Sequence, residues 1–362
     1  MDFSQYAKET VEWKEYLAAH PNLLKQQGSP NVQSLDNIRQ AANAQRAQWS
    51  EKHVKSQGLE GKFTIKDYQV STRDGSAIPL RFYAPSGSTE KDETKRPAFF
   101  HVHGGGYLNG SLDTETSVCA AIAVNLNMIV LHPEYRHTNS HSHPTQHHDV
   151  WDAFEWALAN AEVLGFDPGS VVVGGQSAGS GLAASTAQQD AKLAKQEGRA
   201  CRIRGQVLTI PWLMHPAVFP YHRFADNKLS SPVQCAGAIG LSSAKLDWFA
   251  SLLRVSDPSD PILNPGFQQG SELYGLPKAA FLVAGGDPLR DQGLLYAKDL
   301  DEARVPTTVR IFPAMPHTFR SIDVLSSAAS FNRRLIESVA WALSEQTWES
   351  GGASRWQIEK GN

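Results

Sequence analysis

Cysteine is scarce in this chain: Cys119, Cys201 and Cys235 are the only three in 362 residues, and they lie far apart. That excludes a disulfide framework and a CxxC zinc or redox motif. It favours a reducing compartment. Long apolar runs are missing as well, since no stretch approaches the roughly 20 residues that span a bilayer. The segment MDFSQYAKETVEWKEYL mixes both charge signs. It has neither the basic n-region nor the apolar h-region of a signal peptide. Neither charge sign is in marked excess, the formal net charge being −3. A nucleic acid or an anionic membrane surface calls for a positive excess, so neither is expected as a partner. Internal repeats and low-complexity tracts are absent. These absences predict a cytoplasmic protein without a membrane span. The sequon Asn109-Gly110-Ser111 is then a chance match. The sequence carries no signal for or against a homo-oligomer.

What is present is apolar material for a large core: 41% of residues are hydrophobic and 20% charged. Residues 1–61 read as helices, broken apart at Gly28, Ser29 and Pro30. Within them, residues 37–54 are rich in Ala, Gln and Arg, with sparse apolar positions. FTIKDYQVST and IPLRFYA flank Asp74-Gly75, a strong hairpin signal. Short apolar runs then alternate with helical stretches. PAFFHVHG, MIVLHPEY, SVVVGGQ, QVLTIP, AAFLVAGG and TTVRIFP read as strands. Helices are predicted near 114–125, 145–164, 178–195, 292–303 and 326–344. This alternation predicts an α/β fold, a mostly parallel sheet with helices on both faces. Residues 214–265 break the rhythm. An insertion of that length at the strand ends reads as a second cap element, joining residues 1–61 in a lid over the site. The expected division is a helical cap segment at 1–61, a core at 62–346 and a tail at 347–362.

Four segments carry chemistry. Gly175-Gln176-Ser177-Ala178-Gly179 fits G-x-S-x-G between a buried strand and a helix. A nucleophile on so tight a turn needs flanking residues without Cβ atoms, and the helix N-terminus adds a positive field. His103-Gly104-Gly105-Gly106-Tyr107 ends a buried strand, and its bare backbone can converge N–H groups on a tetrahedral oxyanion. Asp287 follows a strand at Gly285-Gly286, and His317 lies in the loop after the last strand. Both are at strand C-terminal ends, where ligands bind in such sheets. The chain order Ser177, Asp287, His317 predicts a nucleophile, an orienting acid and a base. Each residue has a plainer reading, as turn, helix cap or exposed loop residue. Four elements in the right order at the right strand ends make the joint coincidence improbable. The chemistry calls for no metal or organic cofactor.

HGGGY, GQSAG, GGDPLRD and the late His317 together resemble the hormone-sensitive-lipase group of α/β-hydrolase esterases. The likeness runs from about Lys62 to the last helix and includes LNPGF and the stretch LYGLPKAAFLVAGGDPLRDQG. The resemblance implies an α/β-hydrolase fold with a helical cap. It implies that Gly105, Gly106 and Ala178 donate N–H groups to the oxyanion. It also implies a serine carboxylesterase for a small or medium-chain ester or a lactone, working through an acyl-enzyme on Ser177. Tyr107 and Trp212 are candidates to line an apolar acyl or alcohol site, with ordinary core roles as the alternative.

Two departures stand out. Gln176 occupies a position that is often Asp in the group. The segment after Glu134-Tyr135-Arg136 reads HTNSHSHPTQHHDV, where only the Tyr-Arg pair, Pro144 and Asp149 match. Its histidines, His137, His141, His143, His147 and His148, read as solvated loop residues. A zinc site would want HExxH or accompanying cysteines and carboxylates, which are lacking. Gly179 to Ala184 also fits G-x-G-x-x-A, but inside a helix and without the acidic partner a dinucleotide site needs. Fold alone does not fix activity. Acyl transfer, or a binding protein or dehydratase on the same fold, remains the alternative. Retention of Ser177, Asp287 and His317 favours hydrolysis.

Overall fold

The computed structural model describes residues 1–25, 34–87, 95–268, 270–345 and 356–359. The expected break at Gly28, Ser29 and Pro30 lies outside the described residues. So does most of the tail expected at 347–362.

The nine described strands form one sheet in the order β1-β2-β4-β3-β5-β6-β7-β8-β9. They are β1 (Phe63–Ser71), β2 (Ala77–Pro85), β3 (Arg96–Val102), β4 (Ile129–Pro133), β5 (Phe166–Gln176), β6 (Ile203–Thr209), β7 (Lys278–Ala284), β8 (Thr307–Phe312) and β9 (Trp356–Ile358). The pairings β1/β2 and β2/β4 are antiparallel, and the rest are parallel. The chain is thus an α/β-hydrolase fold. Asp74-Gly75 makes the turn between β1 and β2, pairing Ser71 with Ala77. One difference concerns the C-terminus. Trp356–Ile358 pairs with β8 as an edge strand, although residues 347–362 read as a tail beyond the core. Three residues are too few to show a strand period in sequence.

The apolar strands bury both faces because side chains alternate. Phe100, Val171 and Val173 pack with Leu182 and Phe154 on one face. Phe99 and Val172 pack with Val118, Ile122 and Phe331 on the other. The helices are α1 (Val11–Ala19), α2 (Leu35–Ser56), α3 (Thr116–Leu126), α4 (Thr145–Ala159), α5 (Ala161–Leu164), α6 (Ala178–Glu197), α7 (Ser231–Gln234), α8 (Ser243–Leu252), α9 (Arg290–Glu302) and α10 (Ser326–Leu343). Helices α3 and α10 cover one face, while α4, α6 and α9 cover the other. Between β6 and β7 the chain leaves the sheet and forms short 3-10 turns with α7 and α8. None of the described helices is long and apolar enough to cross a membrane.

Candidate active site

Strand β5 runs into α6 with one residue between them, Ser177. Its backbone is forced to φ 55° and ψ −121°, a conformation costly for a residue with a Cβ. The turn survives because its neighbours leave room. A Cβ on Gly179 would sit 2.1 Å from the Val102 carbonyl oxygen of β3. Only glycine permits that approach. The Ser177 N–H donates to the Thr209 carbonyl at 2.9 Å, which ties the elbow to β6.

The relay that faces Ser177 comes from two loops beyond the sheet. Ser177 Oγ and His317 Nε2 are 2.9 Å apart. On the far side of the ring, His317 Nδ1 lies 2.6 Å from Asp287 Oδ2. The second carboxylate oxygen, Oδ1, accepts the Leu289 N–H at 2.9 Å. The two loops are stitched together, Gly286 N–H donating to the Met315 carbonyl at 2.9 Å. All three side chains are largely withdrawn from water, with Ser177 6%, Asp287 1% and His317 8% exposed. The geometry places an acceptor imidazole against a hydroxyl and orients it with a carboxylate.

Beside the elbow, the loop after β3 carries a run of left-handed residues: Gly105 (φ 138°), Gly106 (φ 63°) and Tyr107 (φ 60°). The N–H groups of Gly105, Gly106 and Ala178 have no acceptor among the described residues. Ala178 is also the first residue of α6, where the helix leaves its N–H groups unpaired. Gly106 lies under the ring of Phe249 from α8, which comes within 2.5 Å of where a Cβ would stand. Tyr107 and Trp212 meet edge to face, their centroids 5.2 Å apart. Both are buried. Trp212 also donates its backbone N–H to the Ser177 carbonyl at 3.2 Å and its indole N–H to the Met214 carbonyl at 2.8 Å.

The sequence reading missed how the N-terminal residues support these loops. One face of α2 presents Arg39, Asn43, Arg46 and Ser50. Arg46 Nη1 donates to the Gly104 carbonyl at 3.0 Å, and its Nη2 bonds Glu115 at 2.5 Å. Asn43 holds the N–H and carbonyl of Gly110. The Ser50 hydroxyl accepts the Ser117 N–H. On the other side of the site, the Tyr6 carbonyl accepts the Ala314 N–H at 2.8 Å, three residues before His317. The available signal was the spacing 39, 43, 46, 50, a polar stripe at helical period. Arg320 was missed too. It is buried, donates to the Gln176 side chain at 3.1 Å and lies over the Trp49 ring of α2.

The histidine-rich segment differs from the expectation. His137 and His147 are buried rather than solvated. His103 Nδ1 lies 3.1 Å from His132 Nε2, and His103 Nε2 lies 3.1 Å from His137 Nε2. A neutral His103 can give one N–H and accept one across these two contacts, while Nδ1 of His132 has no partner among the described residues. Burial, reinforced by neighbouring positive charge from Arg39 and Arg46, pushes the His137 imidazole down to about 3. Burial also holds His103, His132 and His147 well below the usual histidine range. His143 reaches out of this segment to Asp260 at 2.9 Å. Arg136 and Asp149 form a nearly buried fork, with Nη2 to Oδ1 at 2.6 Å.

Comparison with known proteins brings esterases to the fore. A family model for the alpha/beta hydrolase fold matches residues 99–321. The chain is 29% identical over 286 residues to versiconal hemiacetal acetate esterase of Dothistroma septosporum, covering 77% of this chain and 82% of that one. It is 33% identical over 259 residues to ethyl acetate hydrolase of Pseudomonas putida, covering 70% of this chain and 75% of the relative. Among solved structures, vibralactone cyclase superposes with a TM-score of 0.83 at 28% identity, over 94% of this chain and 96% of that one. The chain belongs to the α/β-hydrolase fold family, within its hormone-sensitive-lipase-like carboxylesterases, and is an ester-hydrolysing serine hydrolase.

Proposed function

We propose that Ser177 is the nucleophile of a carboxylesterase for small or medium-chain esters, with His317 as base and Asp287 as orienting acid. The observation that carries this reading is the unbroken relay from Ser177 Oγ through His317 to Asp287, at 2.9 and 2.6 Å. His317 Nε2 takes the hydroxyl proton as Oγ adds to the ester carbonyl. Asp287 stabilises the imidazolium and keeps Nδ1 protonated. The oxyanion is received by the N–H groups of Gly105, Gly106 and Ala178. The tetrahedral intermediate collapses, and His317 returns the proton to the departing alcohol. Water, deprotonated by the same imidazole, then releases the acid from Ser177. None of these steps requires a metal or a cofactor.

Residues 1–61 and 214–265 form the cap on this reading. Phe249 is the cap residue that walls the oxyanion side. A ring packed on Gly106 leaves little room there and favours a short acyl group. Two similar proteins bear names that specify acetate esters, which supports the same preference. A second reading, intramolecular lactone formation, has one specific support, the likeness to vibralactone cyclase over 94% of the chain. On this second reading of the present chain, a hydroxyl of the same acyl group captures the acyl-enzyme instead of water.

The test is intact-protein mass spectrometry after incubation with a fluorophosphonate, on wild type and Ser177→Ala. A single adduct on wild type alone is the expected result. No adduct on folded wild type overturns the assignment of Ser177. Products from a hydroxyacyl thioester then separate the two readings, hydroxy acid for hydrolysis and lactone for cyclisation.

A further inference from the structure

A backbone N–H is one end of a peptide group whose other end is the preceding carbonyl. In a trans peptide the two point in opposite directions. Whatever grips the carbonyl therefore fixes where the N–H points. A donor on that carbonyl also polarises the N–H, because linked hydrogen bonds strengthen one another in a low-dielectric interior.

The three proposed oxyanion donors differ in what holds the carbonyl of their peptide. The N–H of Gly106 shares a peptide with the Gly105 carbonyl, which accepts from Leu108 at 3.2 Å and Asn109 at 2.9 Å. The N–H of Ala178 shares one with the Ser177 carbonyl, held by Ser180 at 2.9 Å and Trp212 at 3.2 Å. Both are tied by neutral backbone groups. The N–H of Gly105 shares its peptide with the Gly104 carbonyl, and there the donor is the guanidinium of Arg46, at 3.0 Å. A charge-assisted bond is roughly twice as strong as a neutral one. Arg46 itself is fixed by Glu115, whose side chain is 4% exposed. It comes from α2, so an N-terminal helix reaches the back of the loop that faces the nucleophile.

We infer that Arg46 is a positioning residue for ester hydrolysis: by holding the Gly104 carbonyl it aims and polarises the Gly105 N–H at the oxyanion. The inference rests on the oxyanion reading above. The benefit exists only where negative charge develops on the carbonyl oxygen, so Arg46 acts on the transition state and not on substrate binding. Loss of a whole oxyanion donor costs about 100- to 1,000-fold in kcat. Arg46 acts through one donor, so roughly 10- to 50-fold is expected by the same scale.

The experiment compares Arg46→Ala, Arg46→Lys and Arg39→Ala in the full chain, with a p-nitrophenyl ester as substrate and a trifluoromethyl ketone as transition-state analogue. Arg39 is the control. It also ties α2 to the body, through Glu134 at 3.1 Å, but touches no oxyanion peptide. Expected are a fall in kcat of roughly 10- to 50-fold for Arg46→Ala, a KM within about twofold, and an equal weakening of the ketone. Arg46→Lys recovers part of the loss, and Arg39→Ala changes kcat less than about twofold. If Arg46→Ala does not fold, Arg46→Gln and Arg46→Lys carry the comparison, since Gln keeps a neutral donor and Lys a charged one. The inference is overturned by an unchanged kcat, by a loss confined to KM, or by an equal loss in Arg39→Ala. Fluorophosphonate labelling separates this from the parent reading. Arg46→Ala still forms the Ser177 adduct, whereas failure of the Ser177 assignment removes the adduct from wild type.

Discussion

Asn43 of α2 satisfies both backbone groups of Gly110, a residue 67 positions later in the chain. Its Oδ1 accepts the Gly110 N–H at 2.7 Å, and its Nδ2 donates to the Gly110 carbonyl at 2.9 Å. Gly110 has φ 111° and leaves no space for a side chain against His103. Its backbone cannot shift to find other partners. Asn43→Ala is therefore expected to cost about 1–3 kcal/mol, the penalty for stranding partly buried polar groups. Urea unfolding of the variant measures it, and a change under about 0.5 kcal/mol contradicts the clamp.

Asp287 holds His317 with one oxygen and accepts the Leu289 N–H with the other. Asn at this position keeps the size but offers an NH2 where the ring N–H now points. On the proposed mechanism the imidazole would adopt the wrong tautomer. Asp287→Asn is expected to lower kcat by about 10,000-fold with the fold intact. Steady-state kinetics beside a circular dichroism spectrum checks both halves.

Four buried imidazoles make stability depend on pH. His103, His132, His137 and His147 are all pushed below 6.5 by burial in the folded chain. Unfolded, they titrate near 6.5, so below that pH the unfolded state binds protons that the folded state refuses. Their contribution is complete above 6.5 and is lost as pH falls from there toward the folded values. Within that window each steepens the dependence of stability on pH. The expected result is a steep fall in Tm between pH 6.5 and 5 that His137→Phe makes shallower. A flat profile over that range contradicts it.

Phe249 meets the backbone of Gly106 and is 7% exposed. Removing the ring opens space beside the proposed oxyanion donors. Phe249→Ala is expected to shift the preferred acyl chain upward, changing the ratio of octanoate to acetate kcat/KM by about tenfold or more. A panel of p-nitrophenyl esters reads the shift, and a profile parallel to wild type removes Phe249 from the acyl side.

Much of this was legible in the chain alone, for local reasons. Apolar runs such as VVV at 171–173 mark strands buried on both faces. Gly175 and Gly179 must lack a Cβ because β5 passes directly into α6 and their backbones meet each other and Val102. Asp287 and His317 follow strand-like runs, and such sites form at strand C-terminal ends. Each signal spans a few neighbouring residues, so it can be read without knowing what packs against it. The helix-period stripe of Arg39, Asn43, Arg46 and Ser50 was equally visible, yet it pointed nowhere. Besides the carboxylates of Glu134 and Glu115, its partners are the carbonyl of Gly104, both backbone groups of Gly110 and the N–H of Ser117. Backbone groups are the same in every residue and leave no trace in a sequence.

The sequence by itself determined the alternation of strands and helices, the hairpin at Asp74-Gly75, and the order in which Ser177, Asp287 and His317 arrive. Tertiary structure alone decided that the three side chains meet within hydrogen-bond distance, although 140 residues separate Ser177 from His317. It also decided that His137 and His147 lie buried, that Trp356–Ile358 extends the sheet, and that Tyr6 and Arg46 brace the loops around the site. The physical reason is one of range. Helix period, strand period and turn chemistry act over a few residues, whereas burial and long-range hydrogen bonds depend on which distant surfaces the finished fold brings together.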